Sequence, residues 1–231
     1  MSLDHLLREP SGEPAGALVL SHGRGTDERD LFGLFDELDP ERRLLGVAPG
    51  GPLRAEDVAA GSALPVAPGG RHWYAVRRVG YPDPDSFHRS YGLLTGFLDE
   101  LVAARGIGWE RVVLGGFSMG AVMSYAVGLG PERPRPAGIM ALSGFVPQVE
   151  RWTPELETRQ GLPVLIHHGR TDPVIGVELG RQAAELLRAA GLAVDFVETD
   201  AGHWLPPEIL PHLRRHLELA LPGLRQAADA V

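Results

Sequence analysis

Read for hydrophobicity alone, the chain alternates between two rhythms. Six short apolar runs, each closing on glycine or a polar turn, recur at GALVLSHG (16–23), RLLGVAPG (43–50), RVVLGGFS (111–118), AGIMALSG (137–144), LPVLIHHG (162–169) and LAVDFVET (192–199). Between most of them the apolar positions take up a helical period. Leu31, Leu34, Phe35 and Leu38 fall at helical spacing behind Thr26, a candidate N-cap with Asp27 and Glu28 in the first turn. Phe87, Tyr91, Leu94, Leu98 and Leu101 predict a longer helix, Leu179, Ala183, Leu186, Leu187 and Ala190 another stopped by Gly191, and Ile209, Leu213, Leu217 and Ala220 the last. These stripes have burial as their use. Strands alternating with helices build βαβ units, so the pattern predicts an α/β fold around a largely parallel sheet. No repeat or second domain interrupts it, and 1–231 is expected to form a single domain. The Pro/Gly/Ala-rich segment 51–74 predicts a long loop, which in a compact domain is usually functional or mobile.

Composition narrows the chemistry. A chain of 231 residues can bury a substantial core without staples. It has no cysteine, which excludes disulfides, thiolate zinc sites and a cysteine nucleophile, and leaves serine as the natural covalent catalyst. The net charge of −8 argues against a nucleic-acid partner. All 22 basic residues are arginine, scattered singly or in pairs such as Arg42-Arg43, Arg77-Arg78 and Arg214-Arg215, and they form no basic run. The opening MSLDHLLREPSGEP lacks the apolar core of a secretory signal, and no stretch approaches the ~18 apolar residues of a membrane span. A soluble cytoplasmic protein with no membrane span is expected.

One stretch raises a specific question. Gly116-Phe117-Ser118-Met119-Gly120 fits the G-x-S-x-G nucleophile elbow, in which a tight strand-to-helix turn leaves no room for side chains two positions either side of the serine. The pentapeptide alone proves little, but 111–114 reads as a buried strand and 119–129 as a small-residue helix, as the elbow requires. A free hydroxyl is a poor nucleophile, so Ser118 needs a histidine base and an acid that orients it. Asp172 follows the strand LPVLIHHG, and His203 follows the next strand, LAVDFVET, so both fall on loops at the sheet edge where such groups gather. Each has a plainer reading: Ser118 as a turn residue, Asp172 as an Asx-turn before Pro173, His203 as an exposed loop histidine. The order Ser, Asp, His on successive crossover loops favours catalysis. Asp200 is a rival acid, but it belongs to the histidine's own loop.

A triad also needs oxyanion donors. Met119 N–H supplies one, and the glycine-rich turn SHGRGTDERD (21–30) aims the Arg24 N–H toward the same cavity. A dinucleotide-binding turn is the rival there; it fails because Glu28 stands at the third glycine position and RLLGVAPG ends without an acid for a ribose. His22 reads as structural, holding that turn by hydrogen bonding. His167 and His168, adjacent on a strand, point to opposite faces and cannot chelate one metal together.

Taken in order, LSHGRGTDERDL, GFSMGA, ALSGFVP, HGRTDPVIG and DAGHWLPPE resemble the small carboxylesterase/phospholipase family of α/β-hydrolases that includes acyl-protein thioesterases. The resemblance spans nearly the whole chain. It implies an α/β-hydrolase fold, no metal or other cofactor, and hydrolysis of carboxylic esters or thioesters through an acyl-serine. It maps the nucleophile onto Ser118, the acid onto Asp172, the base onto His203 and the oxyanion donors onto Arg24 and Met119. Two positions depart from the family pattern: Ser21, where leucine is usual, and Gly176, where proline is frequent. The connection FVPQVERWTPELETRQG (145–161), read as lying between the sixth and seventh core strands where larger lipases insert a lid, is too short for a helical cap. An open groove is expected, walled by Trp73, Tyr74, Phe117, Phe145, Val174 and Trp204, although core packing serves each aromatic equally well.

The sequence therefore points to a serine carboxylesterase for esters of short to medium acyl chains. An acyl thioesterase or lysophospholipase-type hydrolase is the nearest alternative, a cofactor-free perhydrolase a weaker one, and a non-catalytic ligand-binding protein of the same fold the alternative from another class. The expected partner is a small-molecule ester, and a homodimer is compatible with the sequence.

Overall fold

The computed structural model describes residues 3–64, 66 and 69–224. All six runs become strands of one seven-stranded sheet. Its strands are β1 (His5–Arg8), β2 (Gly16–Ser21), β3 (Leu44–Pro49), β6 (Val112–Phe117), β7 (Gly138–Leu142), β8 (Pro163–Gly169) and β9 (Ala193–Thr199), in the spatial order β1-β3-β2-β6-β7-β8-β9. Only β1 runs antiparallel, pairing with β3 at the edge. The hydrophobic runs did not announce β1. Its Arg8 is buried and ion-pairs with Asp36 and Asp39, tying the edge strand to the segment beneath.

Period-two alternation divides the core between the two faces of the sheet. Val19, Leu114, Ile139, Ala141 and Ile166 point into one apolar layer, with residues of α3 (Pro84–Ala104), α4 (Met119–Leu129) and α5 (Val177–Ala189). Leu18, Leu20, Val113, Met140 and Leu165 point into the other, with α1 (Leu34–Leu38) and α6 (Leu210–Ala220). All eleven residues of α4 are buried, which explains why its sequence is apolar all round and carries no stripe.

Two expectations are corrected. Thr26 does not cap a helix: its backbone bridges to Arg71, its hydroxyl bonds the Gly23 carbonyl and the Asp30 carboxylate, and the chain reaches helix only at Leu34. The turn takes up the hydrogen-bonding groups that a first helical turn needs. Segment 51–74, expected as loop, contains a short helix, α2 (Ala55–Ala59), and is followed by a small hairpin of β4 (Val76–Arg78) and β5 (Tyr81–Pro82). Pro65, Ala67 and Pro68 lie outside the described residues. The 145–161 connection joins β7 to β8, the fifth and sixth strands of the sheet in chain order. Among the described residues it contains no α-helix.

Candidate active site

Between β6 and α4 the backbone turns at Ser118, whose φ of 55° and ψ of −116° lie in a region that a non-glycine residue occupies only under constraint. The constraint is packing. A Cβ at Gly116 would overlap the backbone of Gly120, and one at Gly120 would overlap the Ser21 carbonyl, so both glycines are needed for the turn to close against the end of β2. Ser118 is the N-cap of α4, a position where a serine oxygen ordinarily accepts a helix N–H, yet its side chain makes no capping bond. Instead its Oγ lies 2.9 Å from His203 Nε2.

His203 is held from the other side. Its Nδ1 lies 2.6 Å from Asp172 Oδ2. A carboxylate oxygen can only accept, so Nδ1 carries the proton and Nε2 is left as an acceptor facing the serine hydroxyl. Asp172 Oδ1 accepts from the N–H groups of Val174 and Ile175 at 2.8 and 2.9 Å. One oxygen of Asp172 thus closes an Asx-turn, and the other meets His203. The loops carrying Asp172 and His203 touch because residue 169 is glycine: a Cβ there would overlap the carbonyls of Ala201 and Gly202. Asp200 points elsewhere, exposed and paired with Arg170 at 2.5 Å.

His168 supports the acid's loop. Its Nε2 lies 2.7 Å from the Ile175 carbonyl and 3.6 Å from Asp172 Oδ2, and burial pushes its pKa below the usual imidazole value. It is therefore a neutral donor to that carbonyl. His167 bonds Thr199 Oγ1 at 2.9 Å on the opposite face. Among the described residues, no three His, Cys, Asp or Glu side chains are grouped as a metal ion would require.

Ser118 and His203 open onto a cavity of about 290 Å³. Arg24 and Met119 line it beside them, as do Tyr74, Phe117, Phe145 and Val174. The turn carrying Arg24 is fastened to its neighbours: Gly51 N–H donates to His22 Nε2 at 2.8 Å, and His22 Nδ1 donates to the Gly23 carbonyl at 2.7 Å. Asp30, which sequence reasoning did not single out, accepts from Gly23 N–H at 3.3 Å and Thr26 Oγ1 at 3.0 Å and faces the cavity.

Two expected walls fall elsewhere. Trp73 is fully buried behind the cavity, donating from its backbone to Met119 Sδ and from its indole to the His22 carbonyl, so it clamps the β2 turn onto α4. Trp204 is 55% exposed and is not among the lining residues. Their place is taken by Leu64 from segment 51–74, Val76 and Val79 from the hairpin, and Ile175. Only the Val79-Gly80 pair at the hairpin tip signalled these, since Gly80 adopts a positive φ that a tight turn needs. Leu64 and Tyr74 of segment 51–74 thus line the groove together with Val76 and Val79.

The sheet order, the sharp turn at Ser118 and the helices on both faces define an α/β-hydrolase fold, and no large cap is evident among the described residues. The chain belongs to the phospholipase/carboxylesterase family, whose model matches residues 5–221. It is similar to acyl-protein thioesterase 1 homolog 1 of Dictyostelium discoideum, 22% identical over 90% of this chain and 92% of that one, and to acyl-protein thioesterase 1 of Candida albicans, 29% identical over 83% and 85%. The solved structure of esterase PE8 superposes with a TM-score of 0.79 at 28% identity, covering 96% of this chain and all of that one. The protein is accordingly a hydrolase of this family. No helix among the described residues is long and apolar enough to cross a membrane.

Proposed function

We propose that the protein is a serine carboxylesterase acting on carboxylic esters of short to medium acyl chains through an acyl-serine intermediate. One observation carries the reading: a serine hydroxyl held in strained backbone, without a cap to make, hydrogen-bonded through one imidazole to a buried carboxylate at the mouth of an apolar cavity. A structural serine has no use for that arrangement.

In this mechanism His203 Nε2 takes the Ser118 proton as Oγ attacks the ester carbonyl carbon, and Asp172 stabilises the imidazolium without itself being protonated. The carbonyl oxygen becomes an oxyanion near the N-terminus of α4, where the Met119 N–H and the Arg24 N–H are the proposed donors and the helix dipole adds to them. Collapse returns the proton from His203 to the leaving alcohol and leaves the acyl group on Ser118. Water then enters, gives its proton to His203 and attacks the acyl carbon; the acid departs as Oγ is reprotonated. The cavity walls, Tyr74, Phe117, Phe145 and Val174, receive the apolar part of the substrate.

A thioesterase reading is favoured by one specific observation, the acyl-protein thioesterases among the relatives. The same groups serve either leaving group. The test is kcat/KM for p-nitrophenyl esters from acetyl to palmitoyl alongside acyl-CoA thioesters, with Ser118→Ala as control. Turnover of short and medium esters that falls by several orders of magnitude in the variant is expected. Preference for the thioesters would move the assignment to thioesterase, and no turnover of either class would leave a ligand-binding protein.

A further inference from the structure

A second cavity, of about 130 Å³, lies next to the first. It is lined by the hairpin tip at Gly80 and Tyr81, by Leu179, Gln182 and Leu186 of α5, and by Phe145. Among the described residues, Phe145 is the one lining side chain the two cavities share. It is buried, and the Gln148 N–H, three residues on, reaches the Gly80 carbonyl and holds this segment against the hairpin.

The larger cavity has two unlike ends. Toward Gly25, Thr26 and Asp30 it borders a polar hollow, while toward Val76, Val79 and Phe145 its lining is apolar. An acyl chain attached at Ser118 is excluded from the first by the cost of setting methylenes against a carboxylate and open backbone, and drawn to the second by burial of apolar area. It meets Phe145 there. The space beyond offers Leu179, Ala183 and Leu186 as apolar surface beside Gln148 and Gln182, and opens to solvent next to the exposed side chains of Tyr81 and Leu186.

We infer that Phe145 is the end wall of the acyl site, a specificity-determining residue that limits chain length by closing the catalytic cavity off from the one behind it. The inference rests on the acyl-serine reading above. Removing the ring joins the two spaces, so chains too long for the first cavity extend along α5. Adding bulk at position 182, on the exposed side of α5, refills the second space without altering the first.

The test is the ratio of kcat/KM for octanoyl over butanoyl p-nitrophenyl ester in the wild type, Phe145→Ala, Phe145→Leu and Phe145→Ala/Gln182→Trp. The ratio should rise roughly tenfold or more in Phe145→Ala, the scale on which apolar pockets discriminate methylenes, and by less in Phe145→Leu. The added tryptophan should return it toward the wild-type value. Phe145→Leu keeps the test open if the alanine variant fails to fold. An equal loss across chain lengths overturns the wall, and a gain that survives Gln182→Trp overturns the second cavity as the place where the chain goes. A wild type that neither hydrolyses esters nor reacts with a fluorophosphonate overturns the acyl-serine reading itself, and the wall with it.

Discussion

Asp172 and His203 meet through a single 2.6 Å contact between Oδ2 and Nδ1, while the other carboxylate oxygen is occupied by two backbone N–H groups. The acid is thus fixed in place before it orients anything. Asp172→Asn keeps the shape but offers an amide that can donate to Nδ1, turning the imidazole toward the tautomer with its proton on Nε2. Such a ring cannot accept from Ser118. We expect kcat to fall by about 10⁴ with little change in KM or melting temperature, the scale seen when a triad acid is neutralised. Ester kinetics and thermal melts on the same preparations check it; a fall of less than tenfold would place the orienting acid elsewhere.

Gly169 makes a different prediction, because it acts only through distance. A Cβ at this position overlaps the carbonyls of Ala201 and Gly202, so Gly169→Ala must push the histidine loop away from the acid loop. Displacement of about 1 Å at a catalytic group costs on the order of 10²-fold in rate. Gly12 has nothing within van der Waals reach of an added Cβ and serves as control. Gly12→Ala should leave kcat unchanged while Gly169→Ala lowers it, and equal behaviour of the two would contradict the packing argument.

Stability should weaken in mild acid because of buried histidines that the proposed chemistry does not use. Burial holds His167 and His216 down at about 4. In the unfolded chain they titrate near 6.5, so between these values the unfolded state binds more protons and stability falls as pH falls. The loss begins below about pH 6.5 and is complete below about pH 4, approaching roughly 3 kcal/mol per histidine. Urea unfolding at pH 7 and pH 4.5 measures it. His216→Leu should flatten the dependence, and an unchanged slope in that variant would remove this histidine as a cause.

The parts of the molecule that the chain encodes locally were legible in it. The six apolar runs, α4 and the presence of α3, α5 and α6 follow from hydrophobic period within ten or twenty residues, with Gly191 as a stop signal just past the end of α5. The meeting of Ser118, Asp172 and His203 was readable because each follows a recognisable strand. The rest depended on pairing across the chain. Thr26 looks like an N-cap until Arg71, far away in sequence, bridges it. Strand β1 is four residues long and exists through β3. Tyr74, Phe117 and Phe145 line the cavity as expected, whereas Trp73 is needed as a clamp on the β2 turn and Trp204 stands at the surface. The added apolar lining at Val76 and Val79 comes from a hairpin too short to carry a pattern.

Whether Ser118 is a nucleophile activated through His203 is read by mass spectrometry of the peptide spanning 111–130 after reaction with a fluorophosphonate. Stoichiometric phosphonylation on Ser118 is expected in the wild type, no adduct in Ser118→Ala, and labelling slowed by at least about 10²-fold in His203→Ala, since loss of the base removes general-base assistance. An adduct on another residue, or a wild type left unlabelled at neutral pH, would contradict that role.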